Sequence, residues 1–229
     1  MENEQLKAMY SAMLGLPKPW EIEKVEFQAE SILVGEVHVW VGLPKGVRWV
    51  CPVCLQEAPI HDHQERTWRH LNTGQFKTFV HSKIPRLKCP NDGIKQLEVP
   101  WAEPKSRFTA LFEVFAIEWL KLATVKAVAE RLDLSWDEVD GIQTRAVKRG
   151  LERRKLETPE YLGIDETSYQ RRHEYVTVVS DLKKSRVLYV ADDREEKVLK
   201  GFWEQWTPEQ LGQIVAVAMD MWKPYINST

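Results

Sequence analysis

Two groups of side chains in this sequence have the residue types and spacing for metal chemistry. Asp165 closes the apolar run Tyr161-Leu-Gly-Ile164, and Asp220 closes the run Ile214-Val-Ala-Val-Ala-Met219. Both runs read as strands, being short, apolar and bounded by turn or helix signals. Carboxylates delivered by neighbouring strands make half of a site for a hard divalent cation such as Mg²⁺ or Mn²⁺. Pairs of such ions activate the attacking oxygen and stabilise the leaving one when phosphodiesters are cut or joined. A strand-end aspartate taken alone is more often a turn or helix cap.

The second group is Cys51-Pro-Val-Cys54, followed by Cys89-Pro-Asn-Asp92-Gly93. A Cys-x-x-Cys pair suits one tetrahedral zinc ion gripped by a knuckle turn, and a second turn with ligands close together would complete the tetrahedron. Cys51, Cys54 and Cys89 are the thiolate candidates. The fourth position stays open between Asp92 and the loop imidazoles of His61 or His63; carboxylate can ligate zinc, although thiolate and imidazole are the usual structural ligands. A redox pair is disfavoured because no helical pattern follows Cys54. A zinc site lost from this copy is the remaining reading. Three cysteines do not make a disulfide framework.

These groups need elements to hold them. The chain has 229 residues, 43% of them hydrophobic, enough for one large or two to three small domains. No apolar run approaches the roughly 18 residues of a membrane span. The acidic start, Met1-Glu-Asn-Glu, is unlike a signal peptide, so a cytoplasmic, nucleoid-associated protein is expected. A net charge of -2 means that nucleic-acid affinity must come from local patches. Residues 4–14 carry Leu6, Met9, Tyr10, Met13 and Leu14 at helical spacing, and residues 22–41 alternate like a β-hairpin or ribbon. Arg66, Arg69, Lys77, Lys83, Arg86 and Lys88 between the cysteines could face phosphates or merely solvent, while Trp68 is expected to be packed.

After Pro100-Trp-Ala-Glu-Pro104 the chain turns helical. Phe108, Leu111, Phe112, Phe115, Trp119, Leu120 and Leu122 suggest one broad apolar stripe. Residues 125–142 fit a helix-turn-helix: Ala129 at the helix crossing, a sharp turn at Asp133, a capping box from Ser135 and Glu138, and Val128, Leu132, Leu134, Val139 and Ile142 inward. The second helix runs into a basic stretch. Gln143, Thr144, Arg145, Lys148 and Arg149 are the candidates for bases and phosphates, with Arg153 and Arg154 in the basic tail. A plain three-helix bundle with a basic end is the competing reading.

Beyond Thr158-Pro159, strands are expected at 161–164, 175–179 and 187–190, with a turn at 181–185. A helix over 194–206 would bury Val198, Leu199, Phe202 and Trp206; a capping box follows at Thr207 and Gln210, then a central buried strand over 214–219.

Gly163-Ile-Asp165-Glu-Thr167, Tyr175-Val-Thr-Val-Val179, Arg186-Val-Leu188 and Ala216-Val-Ala-Met-Asp220-Met-Trp-Lys-Pro-Tyr225 together resemble the start of the catalytic domain of bacterial insertion-sequence transposases. The chain is most similar to their zinc-finger-bearing ISL-three family, and the match extends upstream through Trp101-Ala-Glu-Pro-Lys-Ser-Arg-Phe108 to the Cys51 region. The resemblance implies an Asp-Asp-Glu triad on a ribonuclease H-like fold, in which the first and fourth strands are parallel neighbours. Asp165 and Asp220 would then be catalytic ligands for Mg²⁺ or Mn²⁺. It also implies hydrolysis at the transposon end and attack of the freed 3′-hydroxyl on target DNA, with terminal inverted repeats and target DNA as double-stranded partners.

This sequence departs from the family in two places. Relatives offer Cys or His where Asp92 stands. The family's glutamate lies well downstream of the second aspartate, whereas the chain ends at Thr229, nine residues past Asp220; a truncated copy with little or no catalysis is the expectation, with Glu196 or Glu204 as conceivable stand-in ligands.

The expected class is α+β multidomain: an N-terminal helix and β-ribbon (1–48), a zinc-binding domain (49–100), a helix-turn-helix domain (105–156) and the first part of an α/β ribonuclease H-like domain (160–229). Self-association is left open. The competing functions are a zinc-dependent DNA-binding regulator of a full-length element and a nuclease or resolvase on the same fold.

Overall fold

The computed structural model describes every residue except 1, 33, 45, 156, 171–173, 193–195, 221, 222, 224, 225 and 227–229, and describes the backbone alone for 2, 3, 168–170, 174 and 196–198. The chain forms two compact units, Met1–Glu152 and Arg153–Thr229.

The first unit starts with α1 (Glu2–Leu14), β1 (Glu21–Ala29), β2 (Gly35–Gly42), β3 (Ile60–Thr73), β4 (Phe76–Cys89) and β5 (Gly93–Gln96). Strands β1 and β2 form the expected antiparallel hairpin. β3 and β4 form a longer one, closed by the pair Thr73 and Phe76 around Gly74, whose φ of 61° suits the tight turn.

β2 pairs parallel with β4, giving the order β1-β2-β4-β3 with β5 on β4. The N-terminal ribbon and the cysteine-bearing segment are therefore one sheet, and the expected boundary at 48/49 falls inside it. The reason is burial. Val37, Val39 and Val41 alternate onto the face that Val80 and Ile84 share, and Tyr10 and Leu14 of α1 close that core with Trp20, Trp68 and Trp101. A two-stranded ribbon alone has no partner for such a face. Trp68 is packed as expected, edge-on to Trp101 at 5.4 Å.

Three helices follow: α2 (Ala110–Leu120), α3 (Val125–Leu132) and α4 (Trp136–Arg153). Their lead-in is stapled to β3. The Arg69 N–H donates to the Arg107 carbonyl at 2.9 Å, and the Thr109 N–H donates to the Arg69 carbonyl at 3.0 Å. Arg69's guanidinium lies between the rings of Phe79 and Phe112, at 5.5 and 5.3 Å from their centroids.

The apolar stripe expected on α2 is corrected. The buried positions are Phe112, Glu113 and Ala116, whereas Leu111, Phe115 and Leu122 are exposed. A helix apolar nearly all round gives no periodicity from which to read the buried face.

The helix-turn-helix follows its signals closely. Asp133 ends α3 in the left-handed conformation with φ 55°, and the N–H of Leu134 returns to the Ala129 carbonyl at 2.9 Å. Ser135 and Glu138 cap α4 reciprocally, at 3.2 and 2.9 Å. Val128, Ala129 and Val139 form one small core; Phe108, Phe112, Ala116 and Ile142 form another.

The second unit contains β6 (Tyr161–Gln170), β7 (Glu174–Asp181), β8 (Arg186–Asp192), α5 (Glu196–Trp203), α6 (Pro208–Leu211) and β9 (Ala216–Met219). Sheet order is β8-β7-β6-β9, with β6 and β9 parallel and the other pairs antiparallel. The buried carboxylate of Asp181 shapes the β7–β8 turn by accepting the N–H groups of Lys183 and Lys184 at 3.1 and 3.0 Å. Leu199 and Phe202 of α5, with Trp206, cover Leu162, Ile164, Val179 and Leu188. Arg194 and the Val198 side chain, also expected in this helix, lie outside the described residues. Thr207 and Gln210 form the expected capping box.

The strand expected over 214–219 is shorter and differently placed. β9 stands at the sheet edge among the described residues, alternating exposed and half-buried, and Val215 is exposed. An unbroken apolar run suggested burial on both faces; the sheet supplies one pairing strand and one covered face.

Candidate functional site

Cys51 and Cys54 sit on the turn before β3, Cys89 ends β4, and Asp92 lies in the β4–β5 turn. The pairing Cys89 to Gly93 folds this second turn back towards the first. The four ligand atoms lie within 4.8 Å of one another. Cys54 Sγ to Cys89 Sγ is 3.4 Å, and Asp92 Oδ2 is 3.4 Å from Cys51 Sγ and 3.3 Å from Cys89 Sγ.

Tetrahedral zinc with its usual bond lengths has ligand–ligand edges of about 3.5–3.8 Å, so the cluster needs little adjustment. Its electrostatics also fit a cation. The Gln56 N–H favours the Cys54 thiolate, but Asp92, Cys89 and burial outweigh it and push the thiol pKa up to about 11. Backbone N–H groups of Cys54 and Val53 hold Cys51 below the usual thiol range. The neighbouring Cys54, Cys89 and Cys51 thiols hold the Asp92 carboxyl below the usual carboxylate range. Asp92 is the fourth member. His61 and His63, the alternatives, are exposed on β3 outside the cluster.

Several of the cations between the cysteines have partners within the fold, while Lys88 is exposed. Arg66 donates to the Ser106 carbonyl at 2.8 Å, Lys77 pairs with Asp133, Lys83 with Glu65 and Arg86 with Asp62. Arg69 serves the packing.

On α4, Gln143, Thr144, Lys148 and Arg153 are exposed, as base- or phosphate-reading side chains must be. Arg145 and Arg149 turn inward to Glu113 of α2. Arg145 Nε and Nη2 reach Glu113 Oε1 at 3.0 and 2.6 Å, and Arg149 Nη1 lies 3.3 Å from Oε2. Arg154 donates to the Leu188 carbonyl at 2.8 Å. Glu113 was not foreseen from the sequence, although an acid inside so apolar a helix is a signal for a buried ion pair.

In the second unit the parallel ladder pairs Ile164 with Met219. Asp165 and Asp220 each follow that last pair, Asp220 just past the end of β9 and Asp165 inside β6, which continues to Gln170 rather than ending at 164 as expected; both are exposed. Asp165 Oδ1 accepts the Glu166 N–H at 2.8 Å. The pair belongs to no cluster of three or more ligating groups among the described residues. Glu204, a conceivable third ligand, is exposed and lies 3.9 Å from Lys200; the Glu196 side chain lies outside the described residues. No described helix is long and apolar enough to cross a membrane.

Comparison with known proteins agrees with this layout. A sequence model described as the zinc-finger of transposases IS204/IS1001/IS1096/IS1165 matches residues 48–92, which include all four members of the cluster. One described as the helix-turn-helix domain of transposase family ISL3 matches 97–147, and one described as transposase matches 162–229. The chain belongs to the ISL3 transposase family.

Curated relatives include the transposase for insertion sequence element IS1557 of Mycobacterium tuberculosis, 32% identical over 218 residues, covering 93% of this chain and 49% of the relative. The transposase for insertion sequence element IS1001 of Bordetella parapertussis is 28% identical over 214 residues, covering 93% and 52%. This ISL3-family chain thus spans about half the length of the curated relatives it matches. No solved structure matches it.

Proposed function

We propose that this chain is the DNA-recognition part of an insertion-sequence transposase joined to the opening of its catalytic domain. α4 reads double-stranded DNA at the terminal inverted repeats, with Gln143 and Thr144 towards bases and Lys148 and Arg153 towards phosphates. Zn²⁺ bound by Cys51, Cys54, Cys89 and Asp92 braces the sheet whose β3 contacts α2. Asp165 and Asp220 supply two carboxylates for Mg²⁺ or Mn²⁺, whose chemistry would be hydrolysis at the transposon end and strand transfer into target DNA.

The observation that carries this reading is the turn from α3 to α4. A left-handed Asp133, the Ser135–Glu138 cap and an exposed polar face on α4 occur together in a helix pair packed against α2, the helix that contacts β3. Anisotropy titration of a duplex carrying the terminal repeat beside this reading frame, against a scrambled duplex, tests it. Tighter, salt-sensitive binding of the repeat is expected; equal binding of both duplexes overturns end recognition. Adding Mn²⁺ to the same complex tests the chemistry. Nicking that disappears in Asp165→Ala assigns the aspartates to catalysis. Tight binding without nicking favours the regulator, and cleavage of branched DNA irrespective of end sequence favours the nuclease.

A further inference from the structure

Glu113 is the one acidic residue in α2's buried face, with only 2% of its surface exposed. A carboxylate taken out of water this far must be compensated by charge and hydrogen bonds. The Ser106 hydroxyl lies 2.7 Å from Oε1, the Arg145 fork closes on the same oxygen, and Arg149 approaches Oε2. Arg149 is also tied to Glu103, at 2.5 Å, so both arginines are held from the body of the unit.

The helical repeat explains the division this creates. Arg145 and Arg149 are four residues apart, on the side of α4 that carries Ile142 and Val139 into the core. Gln143, Thr144, Val147 and Lys148 lie on the solvent side, where Val147 is 54% exposed.

Resting on the reading of α4 as a DNA-binding helix, we propose that Glu113 is a positioning residue that withdraws Arg145 and Arg149 from DNA. It sets the rotation of α4, leaving base readout to Gln143, Thr144 and Val147 and phosphate contact to Lys148 and Arg153. An exposed valine in that row suits the C5-methyl of thymine, and the amide and hydroxyl suit base edges in the major groove. The most basic stretch of the chain therefore serves two purposes. Its inward arginines fix the helix, and Lys148 and Arg153 touch the backbone.

The test uses the full chain and the terminal-repeat duplex, measuring affinity across a salt series beside the melting temperature. Each phosphate contact contributes about 0.9 to the slope of log K against log salt. Lys148→Ala should lower the slope by about that amount without changing the melting temperature. Arg149→Ala should lower the melting temperature with the slope unchanged; should it fail to fold, Arg149→Met, which keeps most of the volume, takes its place. Glu113→Gln should narrow discrimination between repeat and scrambled duplexes, and Val147→Ala should do so at normal stability. A slope drop of about 0.9 in the Arg149 variant at unchanged melting temperature makes Arg149 a phosphate contact and overturns the inference alone. Failure of the wild-type chain to bind either duplex overturns the underlying DNA-binding reading as well.

Discussion

His70 Nδ1 lies 2.8 Å from the hydroxyl oxygen of Thr109, with both residues buried. The same oxygen accepts the Phe112 N–H at 3.3 Å and so caps α2. This side-chain hydrogen bond adds to the two backbone bonds by which Arg69 joins β3 to the start of the helical module. A neutral imidazole accepting from the Thr109 hydroxyl suits this geometry, and burial, followed by the neighbouring Arg69 charge, pushes the His70 pKa down to about 4.

The pH dependence follows from that depression. Below about 6.5 an unfolded histidine takes a proton that the folded ring refuses until near pH 4, so the unfolded state binds more protons and stability falls as pH drops through that window. At pH 5 the loss is about 2 kcal/mol. Urea unfolding at pH 7 and pH 5 should show it, and His70→Asn should flatten the difference. An equally steep dependence in the variant would place the effect elsewhere.

For the metal centre, Co²⁺ titration should give the visible bands of a tetrahedral thiolate site, bleached by Zn²⁺. Asp92→Ala should weaken binding roughly tenfold or more, Asp92→Cys should strengthen it, and His61→Ala and His63→Ala should change nothing. A loss of affinity in either histidine variant would transfer the fourth ligand from the carboxylate to that imidazole.

Asp165, inside β6, and Asp220, just past β9, offer two carboxylates beside one parallel strand pair. Millimolar Mn²⁺ should raise the melting temperature of the parent chain, and Asp165→Asn should abolish that rise. If Mn²⁺ stabilises variant and wild type alike, the ion binds at another place.

The α3–α4 turn offers a backbone test. Asp133→Gly loses only an exposed ion pair with Lys77 and relieves the left-handed conformation, so stability should stay within about 1 kcal/mol of the parent. Asp133→Val should cost about 1–2 kcal/mol, since a β-branched residue fits φ 55° poorly. Thermal melts of the two variants compare directly. Equal melting temperatures would mean that the turn relaxes.

Local rules were enough wherever a feature is built from residues near one another in sequence. The Ser135–Glu138 and Thr207–Gln210 boxes, the turn at Asp133, the Asp181 turn and the Cys-x-x-Cys knuckle depend on short spacing and backbone preference, so the sequence by itself determined them. The end of β6 was not legible: Asp165 was expected to close a strand over 161–164, but pairing with β7 carries β6 on to Gln170. Tertiary structure alone decided what depends on distant partners. Valines 37, 39 and 41 needed β4 to become the centre of a sheet, since alternation says which residues share a face but not which strand lies beside them. Glu113 on a nearly all-apolar helix could be placed only by the arginines that neutralise it, 32 and 36 residues away. Asp92 displaced His61 and His63 because the β4–β5 turn closes on the knuckle, a geometry fixed by strand register rather than by ligand preference.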